Sequence, residues 1–96
     1  MYVQGEKNIK YLSELEKYEL ININDGEKYD CLQNNDLVID DDGNIRYLLI
    51  DTSSSKFSIF GGAREILEID WNAVQKVGAK TIILDADEKS IKRAKV

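Results

Sequence analysis

Residues 34–51 read NNDLVIDDDGNIRYLLID, three consecutive aspartates and a glycine set between two apolar runs. Three readings compete: a calcium loop, a carboxylate active site, or a tight turn joining two strands. An EF-hand loop with Gly43 at its sixth position would open on Val38 and close on Leu49. Neither aliphatic side chain ligates a hard cation. A hairpin asks only for Asp or Asn and Gly at the bend, which Asp41, Asp42, Gly43 and Asn44 supply. The turn is the reading that these residues carry. Its flanks become two strands, Asp36 to Asp40 and Ile45 to Ile50. The second is apolar on both faces through Tyr47, Leu48, Leu49 and Ile50, the pattern of a strand covered on both sides.

The same period of two extends in both directions. Leu20-Ile21-Asn22-Ile23 leads into Asn24-Asp25-Gly26 and then Lys28 to Leu32, a hairpin for which Asp-Gly predicts a type I′ turn. Gln33-Asn34-Asn35 either kinks one long strand or separates two short ones. Downstream, Leu67, Ile69 and Trp71 share one face of a strand and Glu68 and Asp70 the other. Trp71, Val74 and Val77 recur at intervals of three and predict a turn or two of helix, with Asp70 as cap and Gly78 as stop. Thr81 to Asp85 is the last predicted strand. Ahead of the first strand, Ser13 and Glu16 have capping-box spacing, which predicts one helical turn. These signals describe an all-β domain: a small β-barrel of five or six antiparallel strands with one or two short helical turns.

Ninety-six residues make one domain. Residues 1–10 read as a loose extension, 11–86 as the barrel and 87–96 as a basic tail. The barrel segment carries a net charge of −8, the first ten residues +1 and the last ten +2, which together give the chain's −5. A body at −8 repels phosphate at long range, so nucleic acid is a disfavoured partner. Only Lys89, Lys92, Arg93 and Lys95 in the tail are placed to touch a polyanion, and they sustain a secondary reading as a ribosome- or RNA-associated factor. No apolar run reaches the roughly 18 residues of a membrane helix, and the amino terminus lacks a signal-peptide core. The expected compartment is the cytoplasm, without membrane insertion.

Chemical readings find few residues to stand on. The chain has no histidine and one cysteine, so structural zinc and haem lack a ligand set, and no other metal or cofactor is expected. Cys31 reads as a buried thiol inside a strand. Ser53, Ser54 and Ser55 have no base for nucleophilic catalysis, and Gly61-Gly62 lacks the lysine of a phosphate loop. Glu68 and Asp70 have the spacing of paired catalytic carboxylates, yet they lie on the outward face of a strand, where no cleft is expected to shift their pKa values. No catalytic residue is assigned. Phe57, Ile59 and Phe60, apolar residues within a Ser- and Gly-bounded connection, either fold back on the core or form a partner contact; they are the candidate contact residues.

The ordered succession of LSEL at 12–15, ELININDGEKY at 19–29, NDLVID at 35–40, DGNIRYLLI at 42–50, EILEIDW at 65–71 and VGAKTIILD at 77–85 resembles the YlmC/YmxH sporulation proteins of the PRC-barrel superfamily. The resemblance spans about three-quarters of the chain. It would place glycines near Lys17, Asp30 and Gln33, and a proline where Asp70 stands. It implies a PRC-type barrel without known catalytic residues. It also implies a docking function, since PRC barrels more broadly act as docking modules. The expected role is therefore a non-enzymatic protein-interaction module, with an exposed sheet edge or the 53–64 loop as contact surface and an unidentified protein as partner. Self-association into a homodimer through residues 45–50 is its corollary.

Overall fold

The computed structural model describes residues 9–52 and 65–95. After one helical turn, α1 (Leu12–Leu15), come β1 (Glu19–Asn22), β2 (Glu27–Cys31), β3 (Asp36–Ile39), β4 (Ile45–Asp51), β5 (Glu65–Asp70), β6 (Val74–Val77), β7 (Thr81–Leu84) and β8 (Lys92–Lys95). They form two four-stranded sheets, ordered β2-β1-β7-β6 and β3-β4-β5-β8. The small all-β domain is as the alternation predicts. The closed barrel is not: the described strands number eight rather than five or six, and the two sheets share no ladder. Nor is the pairing wholly antiparallel, because β1 and β7 run parallel from Glu19↔Thr81 to Asn22↔Leu84.

One apolar cluster draws on both sheets. Leu20 from β1 and Ile82 and Leu84 from β7 meet Leu48 and Ile50 from β4 and Ile69 from β5, all fully buried. On β5 the predicted alternation holds, Leu67 being buried beside Ile69 while Asp70 is exposed; on β4, expected to be covered on both faces, Leu48 and Ile50 are buried while Tyr47 and Leu49 are half-buried. Covering an aliphatic side chain of this size contributes roughly 1.5–3 kcal/mol, so the cluster is the main source of cohesion.

The chain passes between the sheets at three places, and each holds a 3-10 turn: Leu32–Asn34, Trp71–Ala73 and Glu88–Ser90. Asp70 caps the second, its Oδ1 accepting from the Asn72 backbone N–H at 2.8 Å. Asp87 caps the third, accepting from Ser90 N–H at 2.9 Å. The predicted helix over Trp71, Val74 and Val77 is thus a single 3-10 turn running straight into a strand. Val74 and Val77 are β-branched and suit the ladder with β7, and Gly78 closes that hairpin by donating to the Thr81 carbonyl at 2.7 Å.

Residues 88–95 of the basic segment hold a 3-10 turn and strand β8. Ile91 is buried, and Lys92 and Arg93 lie on β8, paired with β5 across Glu68↔Lys92 and Leu67↔Arg93. Charged side chains are common on edge strands, and these face acids: Lys92 lies 3.9 Å from Glu68, and Arg93 2.7 Å from Glu88. Strand β4, expected to self-associate, is interior, with both edges taken by β3 and β5. No helix of the described residues is long and apolar enough to cross a membrane.

Both predicted hairpins form. At the second, Gly43 takes φ 86° and its N–H donates to the Asp40 carbonyl at 3.0 Å. At the first, only Gly26 has positive φ, at 76°, and its N–H reaches Asn22 O at 2.8 Å, so the bend is a four-residue loop rather than a two-residue type I′ turn. Strand β2 also bulges: Glu19 pairs with Cys31 but Ile21 with Lys28, and the extra residue is absorbed around Asp30, which sits at φ 72°. A left-handed conformation costs an ordinary L-residue roughly 1–2 kcal/mol, less for Asp. Asp30→Val is therefore expected to lose about 1–2 kcal/mol in urea unfolding, and Asp30→Gly to stay within about 1 kcal/mol of the parent. Equal stability of the two variants would contradict the assignment of strain to this residue.

Candidate functional site

The described surface has an open groove of about 270 Å³ between α1 and β3. Its residues come from three segments. Leu12 and Glu16 stand on and just after α1; Leu32, Gln33 and Asn35 belong to the first crossing; Asp36, Leu37 and Ile39 belong to β3. Leu12 is 63% exposed and Ile39 59%, although both are large aliphatic side chains. Leu32 beneath them is buried. The charges on the rim are the acids Glu16 and Asp36, and among the described residues no base lines the groove.

Backbone hydrogen bonds hold the walls in register. Tyr11 starts α1, and Glu14 reaches back to accept its backbone N–H at 3.2 Å; the cap therefore falls two residues before the predicted Ser13. Leu32 N–H donates to Tyr18 O at 3.0 Å and Gln33 N–H to Glu16 O at 2.8 Å, which fixes the first crossing against the end of α1. Asn35 then links the sheets. Its Nδ2 donates to the carbonyls of Tyr29 and Cys31, at 3.0 and 2.9 Å, while its Oδ1 accepts from Asp51 N–H at 2.9 Å. One amide thus spans the Asp30 bulge of β2 and holds the end of β4, and β3 begins at the next residue.

Among the described strands β3 is terminal in its sheet. A sheet edge offers backbone N–H and C=O groups to an incoming strand, and the exposed Ile39 and Leu12 offer it apolar cover. Apolar side chains of this size brought together at an edge mark an interaction surface more often than isolated exposed ones do. Sequence alone shows each residue separately as an ordinary strand or helix position; their convergence depends on the fold.

Other candidate residues are placed elsewhere. Glu68 is spoken for by Lys92, and Asp70 by its cap on the Trp71–Ala73 turn; the groove is lined by neither. Cys31 is half-buried rather than buried, and burial, with the negative charges of Asp30 and Glu19, raises its pKa. Among the described residues no group of three or more His, Cys, Asp or Glu is arranged to hold a metal ion. Phe57, Ile59 and Phe60, with the rest of the 53–64 connection, lie outside the described residues. No family model, curated protein or solved structure matches the chain.

The aspartate turn also has a structural explanation. Asp40 Oδ1 accepts from the backbone N–H groups of Asp42 at 2.9 Å and Asn44 at 3.0 Å, and Oδ2 lies 3.4 Å from Arg46 Nη1. The Asn44 N–H foremost, with that of Asp42 and the Asn44 and Arg46 side chains, holds the carboxyl below its ordinary pKa despite some desolvation. A carboxylate with a depressed folded-state pKa stabilises the fold above its unfolded pKa, and that contribution fades as pH falls through the folded value. Asp40→Asn should thus be less stable than the parent at neutral pH, with the gap closing below about pH 4. Thermal unfolding from pH 7 to pH 2 measures this, and a gap independent of pH would contradict the charge assignment.

Proposed function

We propose that this chain is a non-enzymatic protein-docking module of the PRC-barrel kind, which takes an extended segment of a partner protein along β3. The observation that carries the proposal is the exposure of Leu12 and Ile39, 63% and 59%, beside a terminal strand of the sheet. Strand addition at such an edge gives affinity through backbone hydrogen bonds and specificity through alternate side chains. The acids Glu16 and Asp36 on the rim, without a lining base among the described residues, favour a segment of alternating apolar residues that carries a Lys or Arg.

The resemblance to sporulation proteins supports the same class and adds a cytoplasmic role in spore formation. One detail agrees with it: the resemblance calls for a glycine near Asp30, and Asp30 adopts the left-handed φ of 72° that glycine tolerates best. The engagement of Lys92 and Arg93 by acids weighs against the RNA reading of the carboxyl-terminal segment.

Selection of displayed peptides against the folded protein tests the reading. Enriched sequences should alternate apolar residues with a basic one and should shift the amide resonances of residues 36–39. Ile39→Glu should weaken them at least about tenfold, corresponding to roughly 1.4 kcal/mol. Peptides that bind elsewhere, or bind Ile39→Glu equally well, would refute the groove. Concentration-dependent self-association abolished by Ile39→Glu would make a second copy of the chain the occupant instead.

A further inference from the structure

A second groove, of about 440 Å³, opens on the opposite flank of α1 and is lined by Ser13, Glu14, Lys17, Tyr18, Ala79 and Lys80. Its charge is the reverse of the first. Lys17 follows α1 and Lys80 stands in the β6–β7 turn, while Lys10 reaches over the Tyr18 ring, 5.5 Å from its centre, and donates to the phenolic oxygen at 3.2 Å. Two lysines from two segments, Lys17 and Lys80, therefore line one concave surface, with Lys10 against its Tyr18 wall, on a chain whose residues 11–86 are net −8. Two of the described lysines pair with a carboxylate, Lys28 with Glu19 and Lys92 with Glu68. Among the described residues Lys17 and Lys80 have no such partner.

The frame that presents them is fixed. Glu19 N–H donates to the Lys80 carbonyl at 3.2 Å, and Gly78 N–H to Thr81 O at 2.7 Å, so the β6–β7 turn is held against the segment that carries Lys17. The single acid among the lining residues, Glu14, has its Oε1 engaged by the Tyr11 N–H at 3.2 Å. Ser13 adds a hydroxyl donor, and Ala79 and Tyr18 supply apolar wall.

We propose that this groove binds a small molecule carrying a phosphate or carboxylate group on an apolar body, the anion between Lys17 and Lys80 and the apolar part against Ala79 and Tyr18. The site is separate from the groove along β3 and stands whether or not that groove docks a protein. Ammonium groups and an oxyanion make charge-assisted hydrogen bonds, and their attraction is screened by salt.

The test is a titration of amide resonances with phenyl phosphate and, in parallel, with phenol. Phenyl phosphate should produce saturable shifts at residues 17, 18, 79 and 80 that weaken as salt is raised; phenol should bind at least about tenfold more weakly. The double variant K17Q/K80Q should lose about tenfold in affinity for phenyl phosphate, and K17R/K80R should retain it within about threefold. Absence of saturable shifts, an equal response to phenol, or wild-type affinity in K17Q/K80Q would each overturn the site. Should K17Q/K80Q fail to fold, the wild-type phenol comparison and K17R/K80R decide it.

Discussion

The amide of Asn22 is the interaction on which the arrangement of the two sheets depends. Asn22 is fully buried at the end of β1, the single polar residue among the buried side chains described. Its Nδ2 donates to the Ala86 carbonyl at 2.9 Å and its Oδ1 accepts from the Ala86 N–H at 3.0 Å. The side chain therefore supplies both bonds of a ladder rung just where the parallel pairing of β1 with β7 ends, at Asn22↔Leu84. The remaining capacity of the amide is also met. Oδ1 accepts from Asn24 N–H at 3.2 Å, and Nδ2 reaches the Tyr29 hydroxyl at 3.4 Å, which donates onward to Asp25 at 3.2 Å. A buried amide with all its bonds made specifies one geometry; the same amide half-satisfied would be a liability.

Its consequence reaches the other sheet. Held at Ala86, the chain enters the Glu88–Ser90 turn, buries Ile91 and lays β8 against β5. Asn35 acts likewise at the first crossing, where its amide binds the carbonyls of β2 and the end of β4. Side-chain oxygens of Asn35, Asp70, Asp87 and Asn22 thus receive backbone N–H groups wherever the chain changes sheets. Backbone groups at such places lie beyond a regular ladder and need partners. Once the crossings are fixed, so is the position of β3 beside α1, and with it the two grooves that flank that helical turn.

What the sequence discloses and conceals follows from the range of each interaction. The two hairpins are legible because Asp-Gly bends act locally, and the core positions on β5 because alternation is local as well. The parallel partner of β1 is not legible, since residues about sixty apart in the chain meet only after both sheets form. Asn22 reads as a polar residue approaching a turn, although its period with Leu20 places it on the inward face. Trp71, Val74 and Val77 mimic helical spacing across what is a 3-10 turn followed by a strand. Lys92 and Arg93 resemble a solvated end because their acidic partners, Glu65, Glu68 and Glu88, are recognised as such only across β5 and the last crossing. The candidate docking groove shares this character: none of its three segments looks like a site by itself.

Replacing Asn22 with leucine tests the central claim most directly, because it preserves the size and raises the apolarity of a fully buried side chain. Urea unfolding of Asn22→Leu should show a loss of about 2–4 kcal/mol, as the Ala86 N–H and carbonyl are left buried without partners. Exchange of the Ala86 amide proton should accelerate alongside. Unchanged or increased stability, with Ala86 still protected, would contradict the account, for the crossing would then be held by packing alone.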